Sequence, residues 1–159
     1  MLSKEQATHP IVHHLVLITK KYLSTFADLT IDIPLDRYHY ALLYIYQNNE
    51  KLTQQDLADY FKVDKSFMVN MIDYLVKKGF VYRKTDLDDR RKHLIKLTKK
   101  AHQFLPEIND ALVKTNKKAL ELVTNEQLEV FWKVIQQIEV NLNIESQHNI
   151  SIDFIKTKI

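Results

Sequence analysis

LTQQDLADYFKVDKSFMVNMIDYLVKKGFVYRKTDLDDRRKHLIKLT, from Leu52 to Thr98, decides the fold. Thr53 is a helix cap, and Asp56 lies in the first turn, near the positive end of the helix dipole. Leu57, Ala58 and Phe61 give that helix its buried stripe. After a short break at Lys62-Val63, Asp64 caps a second helix. Met68, Ile72 and Leu75 point it inward, and Gly79 sits where a C′ glycine belongs. Two short helices joined by a tight turn form the helix-turn-helix pattern, although this turn lacks the glycine often found in it. Phe80 to Lys84 then reads as a strand, Asp86 to Arg90 as a polar loop, and His93 to Leu97 as a returning strand. A β-hairpin directly after a helix-turn-helix is a wing.

Outward from this stretch the pattern stays helical. Ile11, Leu15, Ile18, Tyr22 and Phe26 recur at helical spacing and predict a helix over about 10–28, with Pro10 at its start. A second helix is expected over about 35–48, with Leu35, Tyr38, Leu42 and Ile45 on one face and Asn48-Asn49 closing it. Thr98 caps a long helix to about Leu122. Thr124 to Gln127 matches a capping box, opening a last helix to about Asn143. The fold class is mainly α with a small β-hairpin wing. The expected division is an N-terminal dimerisation helix (1–34), a winged helix-turn-helix domain (35–100), C-terminal dimerisation helices (101–145) and an unassigned tail (146–159).

Composition removes most other functions. The 159 residues contain no cysteine and a single glycine, Gly79. Disulfides, thiolate catalysis and cysteine-bound zinc are excluded. The Rossmann turn and the P-loop, which need several glycines, are also excluded. No Gly-x-Ser-x-Gly motif or other catalytic set is recognisable, so no enzyme and no cofactor are expected. No apolar run nears the length of a membrane span, and the first six residues lack a signal core; a cytoplasmic protein without membrane contact is expected.

Charge is uneven. The chain has a net charge of +3, yet Lys77 to Lys100 carries ten basic residues against three acids, so the remainder is net acidic. A basic segment on an acidic body suits a polyanion, and a solvated charged face is the plain alternative.

In order and spacing, several motifs together resemble the MarR (multiple antibiotic resistance regulator) family. They are Leu52-Thr53-Gln54-Gln55-Asp56-Leu57-Ala58, Ser66, Leu75 to Arg83, Asp86 to Arg91 and Leu97-Thr98. The resemblance covers about residues 52–101. It implies a dimer built from the first and last two helices, one winged domain per subunit and a small-molecule pocket between the two regions. It also implies that Arg91 enters a minor groove, with Asp89 orienting it. The sequence departs from the family where Val69-Asn70 replaces a frequent Thr-Arg, and where Ala101 replaces a usual glycine.

The candidate DNA-binding residues follow. Lys65 and Ser66 lie at a helix N-terminus, where phosphates are favoured. Asn70 suits adenine in the major groove, or is a solvated polar residue. Phe67 touches a thymine methyl or packs on the wing. Arg83 and Lys84 at the hairpin base are expected on phosphate. Arg90, Arg91 and Lys92 at the tip suit an A·T-rich minor groove, with Asp89 holding one of them; a local Asp/Arg ion-pair cluster is the alternative. Tyr40 and Tyr44 share a helix face and mark either an effector pocket or core aromatics.

No metal site is expected. Asp86-Leu87-Asp88 begins like a calcium loop, but Arg91 stands at its glycine position and Leu97 at its terminal glutamate. His9, His13 and His14 read as surface or dimer-interface residues, with a switch near neutral pH the other reading. The expected function is a ligand-responsive repressor binding double-stranded DNA as a homodimer on a pseudo-palindrome. The alternative is a winged-helix protein-interaction module without DNA readout.

Overall fold

The computed structural model describes residues 10–142. The tail from 146, the expected end of the last helix near Asn143, and His9 lie outside the described residues. Six helices and one hairpin follow in order: α1 (Ile11–Leu29), α2 (His39–Gln47), α3 (Gln54–Phe61), α4 (Lys65–Lys77), β1 (Val81–Thr85), β2 (His93–Leu97), α5 (Lys99–Ala119) and α6 (Asn125–Asn141).

The caps read from sequence are in place. The Asp56 backbone N–H donates to the Thr53 hydroxyl, while the Asp56 carboxylate accepts from the Thr53 N–H at 2.8 Å. Asp64 accepts from the Phe67 N–H at 2.7 Å, Thr98 from Ala101 at 3.2 Å and Thr124 from Gln127 at 3.3 Å. Each satisfies a backbone donor that the first helical turn leaves without an intrahelical partner. The turn between α3 and α4 does without glycine because Lys62 takes the left-handed conformation (φ 52°). Gly79 (φ 75°) closes α4 in a Schellman motif, with Gly79 N–H on Val76 O and Phe80 N–H on Leu75 O, both at 2.9 Å.

That motif corrects one boundary. The Phe80 N–H is spent on the helix, so β1 starts at Val81 and Phe80 is a fully buried core ring. A second correction concerns α2, which begins at His39 rather than Leu35. Tyr38 is left-handed (φ 69°) and the Leu35 N–H bonds to Ile33 O, so 35–38 is a turn. The long helix α5 ends at Ala119, and Leu122 has a positive φ of 63°.

The strands pair antiparallel in the register Val81↔Leu97, Arg83↔Ile95 and Thr85↔His93. Leu52 and Thr53 add a third backbone to the hairpin, with Ile95 N–H donating to Leu52 O at 2.8 Å. The core packs Leu42 and Ile45 of α2, Leu57 of α3, Met68, Ile72 and Leu75 of α4, and Ile95 of β2. It runs past residue 100, taking in Ala101, Leu105 and Ile108 of α5. Each fully buried Leu, Ile or Phe contributes roughly 1.5–3 kcal/mol.

The outer helices differ. Neither α1 nor α6 has a fully buried residue. Ile11, Val12 and Ile18 of α1, and Val130, Phe131 and Trp132 of α6, are exposed. The Tyr22 hydroxyl donates to Asn116 Oδ1 at 2.6 Å, holding α1 to α5. Among the described residues no helix is long and apolar enough to cross a membrane.

Candidate nucleic-acid interface

The buried face of α4 leaves the opposite ridge outward. Ser66, Asn70, Asp73 and Lys77 recur at i, i+4, i+7 and i+11 and are all exposed, as is Lys65 at the first turn. Val69 is half-buried to one side of the ridge, and Phe67 and Tyr74 are half-buried to the other. Phe67 joins the core's edge, and its ring meets Tyr38 at 6.4 Å.

Asp73 places an acid on a ridge otherwise suited to a polyanion. Arg83 answers it. The guanidinium Nη2 lies 2.6 Å from Asp73 Oδ1, and Nε donates to Gln54 Oε1 at 2.8 Å. Arg83 thus braces β1 to both helices of the helix-turn-helix. Lys84, beside it in sequence, is exposed.

At the hairpin tip the loop is built by its aspartates. Asp86 Oδ1 accepts from the N–H groups of Asp88 (2.8 Å) and Asp89 (3.0 Å), and these bonds hold its carboxyl below the usual range. The Asp86 and Lys92 backbones close the loop, with Asp86 N–H on Lys92 O at 3.0 Å. Asp89 Oδ1 takes the Arg91 N–H at 3.1 Å and lies 3.4 Å from its Nε. The Arg91 side chain is 93% exposed, and Arg90 and Lys92 are exposed beside it. The structure therefore brings Asp89 and Arg91 together and leaves the cation facing solvent.

Sequence reading missed Gln54 and Asp73, because only the fold brings them to Arg83. It also missed a cluster before α2. The Arg37 guanidinium carbon stands 5.0 Å from the Tyr38 ring centre and 4.6 Å from that of Tyr74. Asp36 Oδ2 accepts from the Tyr74 hydroxyl (2.9 Å) and Lys78 Nζ (3.2 Å), and these bonds lower the Asp36 pKa.

Tyr40 and Tyr44 both engage Tyr60 of α3, one through its hydroxyl and the other by stacking. Tyr44 lies on Tyr60 with ring centres 3.6 Å apart, and the Tyr40 and Tyr60 hydroxyls are 2.9 Å apart. That hydrogen bond, with burial, pushes the Tyr40 hydroxyl up to about 12. A groove of about 340 Å³ opens elsewhere, between α2 and α5, lined by Leu43, Tyr46, Gln47, His102, Leu105, Pro106 and Asn109. Nearby, His39 is buried against Phe26 with its Nε2 unpartnered, and burial pulls its pKa down to about 4. The His13 and His14 rings meet edge-on at 5.6 Å, and no group of three or more potential metal ligands occurs among the described residues.

Residues 35–93 match the model of the MarR family. A MarR-family transcriptional regulator of Listeria monocytogenes, solved with a 26-mer DNA, superposes with a TM-score of 0.73 at 20% identity, covering 85% of this chain and 90% of that one. A MarR protein of Peptoclostridium difficile gives 0.73 at 21% identity, covering 89% and 92%. BpsR of Bordetella bronchiseptica, whose DNA binding is regulated by 6-hydroxynicotinic acid, gives 0.70 at 14% identity, covering 83% and 94%. At these identities the likeness is one of fold.

Proposed function

We propose, from the match of residues 35–93 to the MarR family model and the likeness in fold to MarR-family regulators, that this chain is a DNA-binding transcriptional regulator: a homodimeric repressor acting on a pseudo-palindromic operator and released by a small molecule. The observation that carries the proposal is the hairpin tip. Arg91 is pinned by Asp89 at its root and exposed at its head, beside the polar ridge of α4. A helix ridge of this kind suits the major groove, where base edges are legible, and the tip suits the adjacent minor groove. Lys65, Ser66, Asn70, Lys84, Arg90 and Lys92 complete the surface. In this reading Arg83 acts through Asp73, cancelling the one acid on the ridge.

The exposed apolar faces of α1 and α6 support the homodimer, since such faces on a free chain call for cover. A two-fold axis would then set half-sites about 34–36 Å apart. The α2–α5 groove, lined by apolar Leu43, Leu105 and Pro106 with Tyr46, His102 and Asn109, suits an effector better than the Tyr40–Tyr60 and Tyr44–Tyr60 pairs, whose rings and hydroxyls already engage each other.

The test titrates duplex DNA at increasing salt. Phosphate contacts release counterions, so the expected affinity falls steeply, log against log. A flat response overturns DNA binding. Retention of a protein partner without DNA at low salt would favour the interaction-module reading. Sedimentation at micromolar concentration checks the dimer, and a chain that stays monomeric overturns it.

A further inference from the structure

We propose that Arg37, in the turn before α2, is a phosphate-binding residue that grips the DNA backbone alongside α4. The inference rests on the DNA-binding reading above and adds a contact from a third element, outside both the helix-turn-helix pair and the wing.

The geometry starts with the ridge of α4. A helix in a major groove turns its outermost ridge to the bases, and its flanks lie toward the two bordering phosphate strands. Phe67 and Tyr74 form one flank, beside the ridge of Ser66, Asn70, Asp73 and Lys77. Arg37 is mounted on that flank. Its guanidinium carbon lies 4.6 Å from the Tyr74 ring centre and 5.0 Å from that of Tyr38, within the range of cation–π attraction. Tyr38 is in turn seated edge-on against Phe67 at 6.4 Å and against Tyr74 at 5.6 Å. Tyr38 adopts the left-handed backbone (φ 69°), a conformation costly for a bulky side chain, and its ring is thereby placed between the turn and α4.

Cation–π attraction to the two rings uses no hydrogen-bond acceptor, so it leaves the guanidinium N–H donors for another partner. Among the described residues no hydrogen bond or carboxylate within 4.0 Å engages those donors. The neighbouring acid is spoken for, because Asp36 takes the Tyr74 hydroxyl and Lys78. Two cations thus approach the Tyr74 ring. Lys78 is paired with Asp36, and Arg37 is exposed, seated on the ring and without a carboxylate partner. A guanidinium held between two rings, with its donors free, is suited to a phosphate's oxygens.

The test measures binding of labelled poly(dA–dT) and poly(dG–dC) duplexes against salt, for the wild type and for Arg37→Ala and Arg37→Gln. Loss of one phosphate contact makes the log–log slope shallower by about one unit and weakens binding about five- to ten-fold near 0.1 M salt, equally on both duplexes. Arg37→Lys keeps the slope. The glutamine variant retains most of the stem, so it guards against a folding defect, and thermal melting of each variant is compared with the wild type. A wild type that binds with a steep slope, left unchanged by both neutral variants, overturns the proposal alone. A wild type without salt-dependent binding overturns the DNA-binding reading together with it.

Discussion

Asp73 and Arg83, ten positions apart, meet at 2.6 Å and fasten the wing to the outward face of α4. The pair is more than a third exposed on the Asp73 side, so its direct worth to stability is about 0–1 kcal/mol. Its larger effect is on charge. Arg83→Ala bares an acid toward the phosphates and is expected to weaken DNA binding. The double variant Asp73→Ala/Arg83→Ala is expected to recover part of the loss, a coupling that fluorescence anisotropy reads through a double-mutant cycle. Equal binding by the single and double variants would refute this role.

Arg91→Ala is expected to cost about 1–3 kcal/mol of binding and to relax preference for A·T-rich flanks. Asp89→Ala keeps the cation but removes its tether at 3.4 Å, so a smaller loss is expected. Competition between duplexes of different flanking sequence checks both. An Arg91→Ala protein with wild-type preference would place the contact elsewhere.

Gly79→Ala separates strain from crowding. An added Cβ meets nothing within 4 Å, but φ is +75°. The expected cost is the left-handed penalty alone, roughly 1–2 kcal/mol, read as a lower denaturant midpoint with the slope unchanged. DNA binding should persist. A loss far above this range would mean that the Schellman turn also carries packing.

His39 gives the fold an acid edge. Burial keeps its imidazole neutral, with a pKa of about 4 against 6.5 for the unfolded chain. Between those values the unfolded state holds the extra proton, so stability falls as pH drops from 6.5 toward 4. The loss is on the order of 3 kcal/mol at the low end. Urea unfolding at stepped pH measures it, and His39→Phe should flatten the curve in that window. A wild type as stable at pH 4 as at pH 6.5 would contradict this assignment.

Local signals in the sequence were faithful. Thr53, Asp64, Thr98 and Thr124 each cap the helix they announced, because a cap is settled within three residues. The hairpin was legible for the same reason, as were the exposed Arg90, Arg91 and Lys92. What depended on distant partners was not. The start of α2 was misplaced by four residues because Tyr38 adopts a backbone that its residue type disfavours. Arg83 was read as a phosphate contact, and its protein partners Asp73 and Gln54 were not legible because only folding brings them to it. Tyr40 and Tyr44 share a helix face, but their partner Tyr60 lies on the next helix and was not legible beside them.

Glu50 clasps the root of the wing. One carboxylate oxygen accepts from the Leu97 N–H at 2.9 Å, the other lies 3.2 Å from His102 Nε2, and its own carbonyl takes Lys96. A five-residue strand is about 17 Å long, so a tilt of roughly ten degrees at this anchorage would swing the tip by about 3 Å. That anchorage adjoins the α2–α5 groove through His102, which both pairs with Glu50 and lines the groove. On the proposed function, an effector wedged there is expected to reach the DNA surface as a displaced hairpin tip.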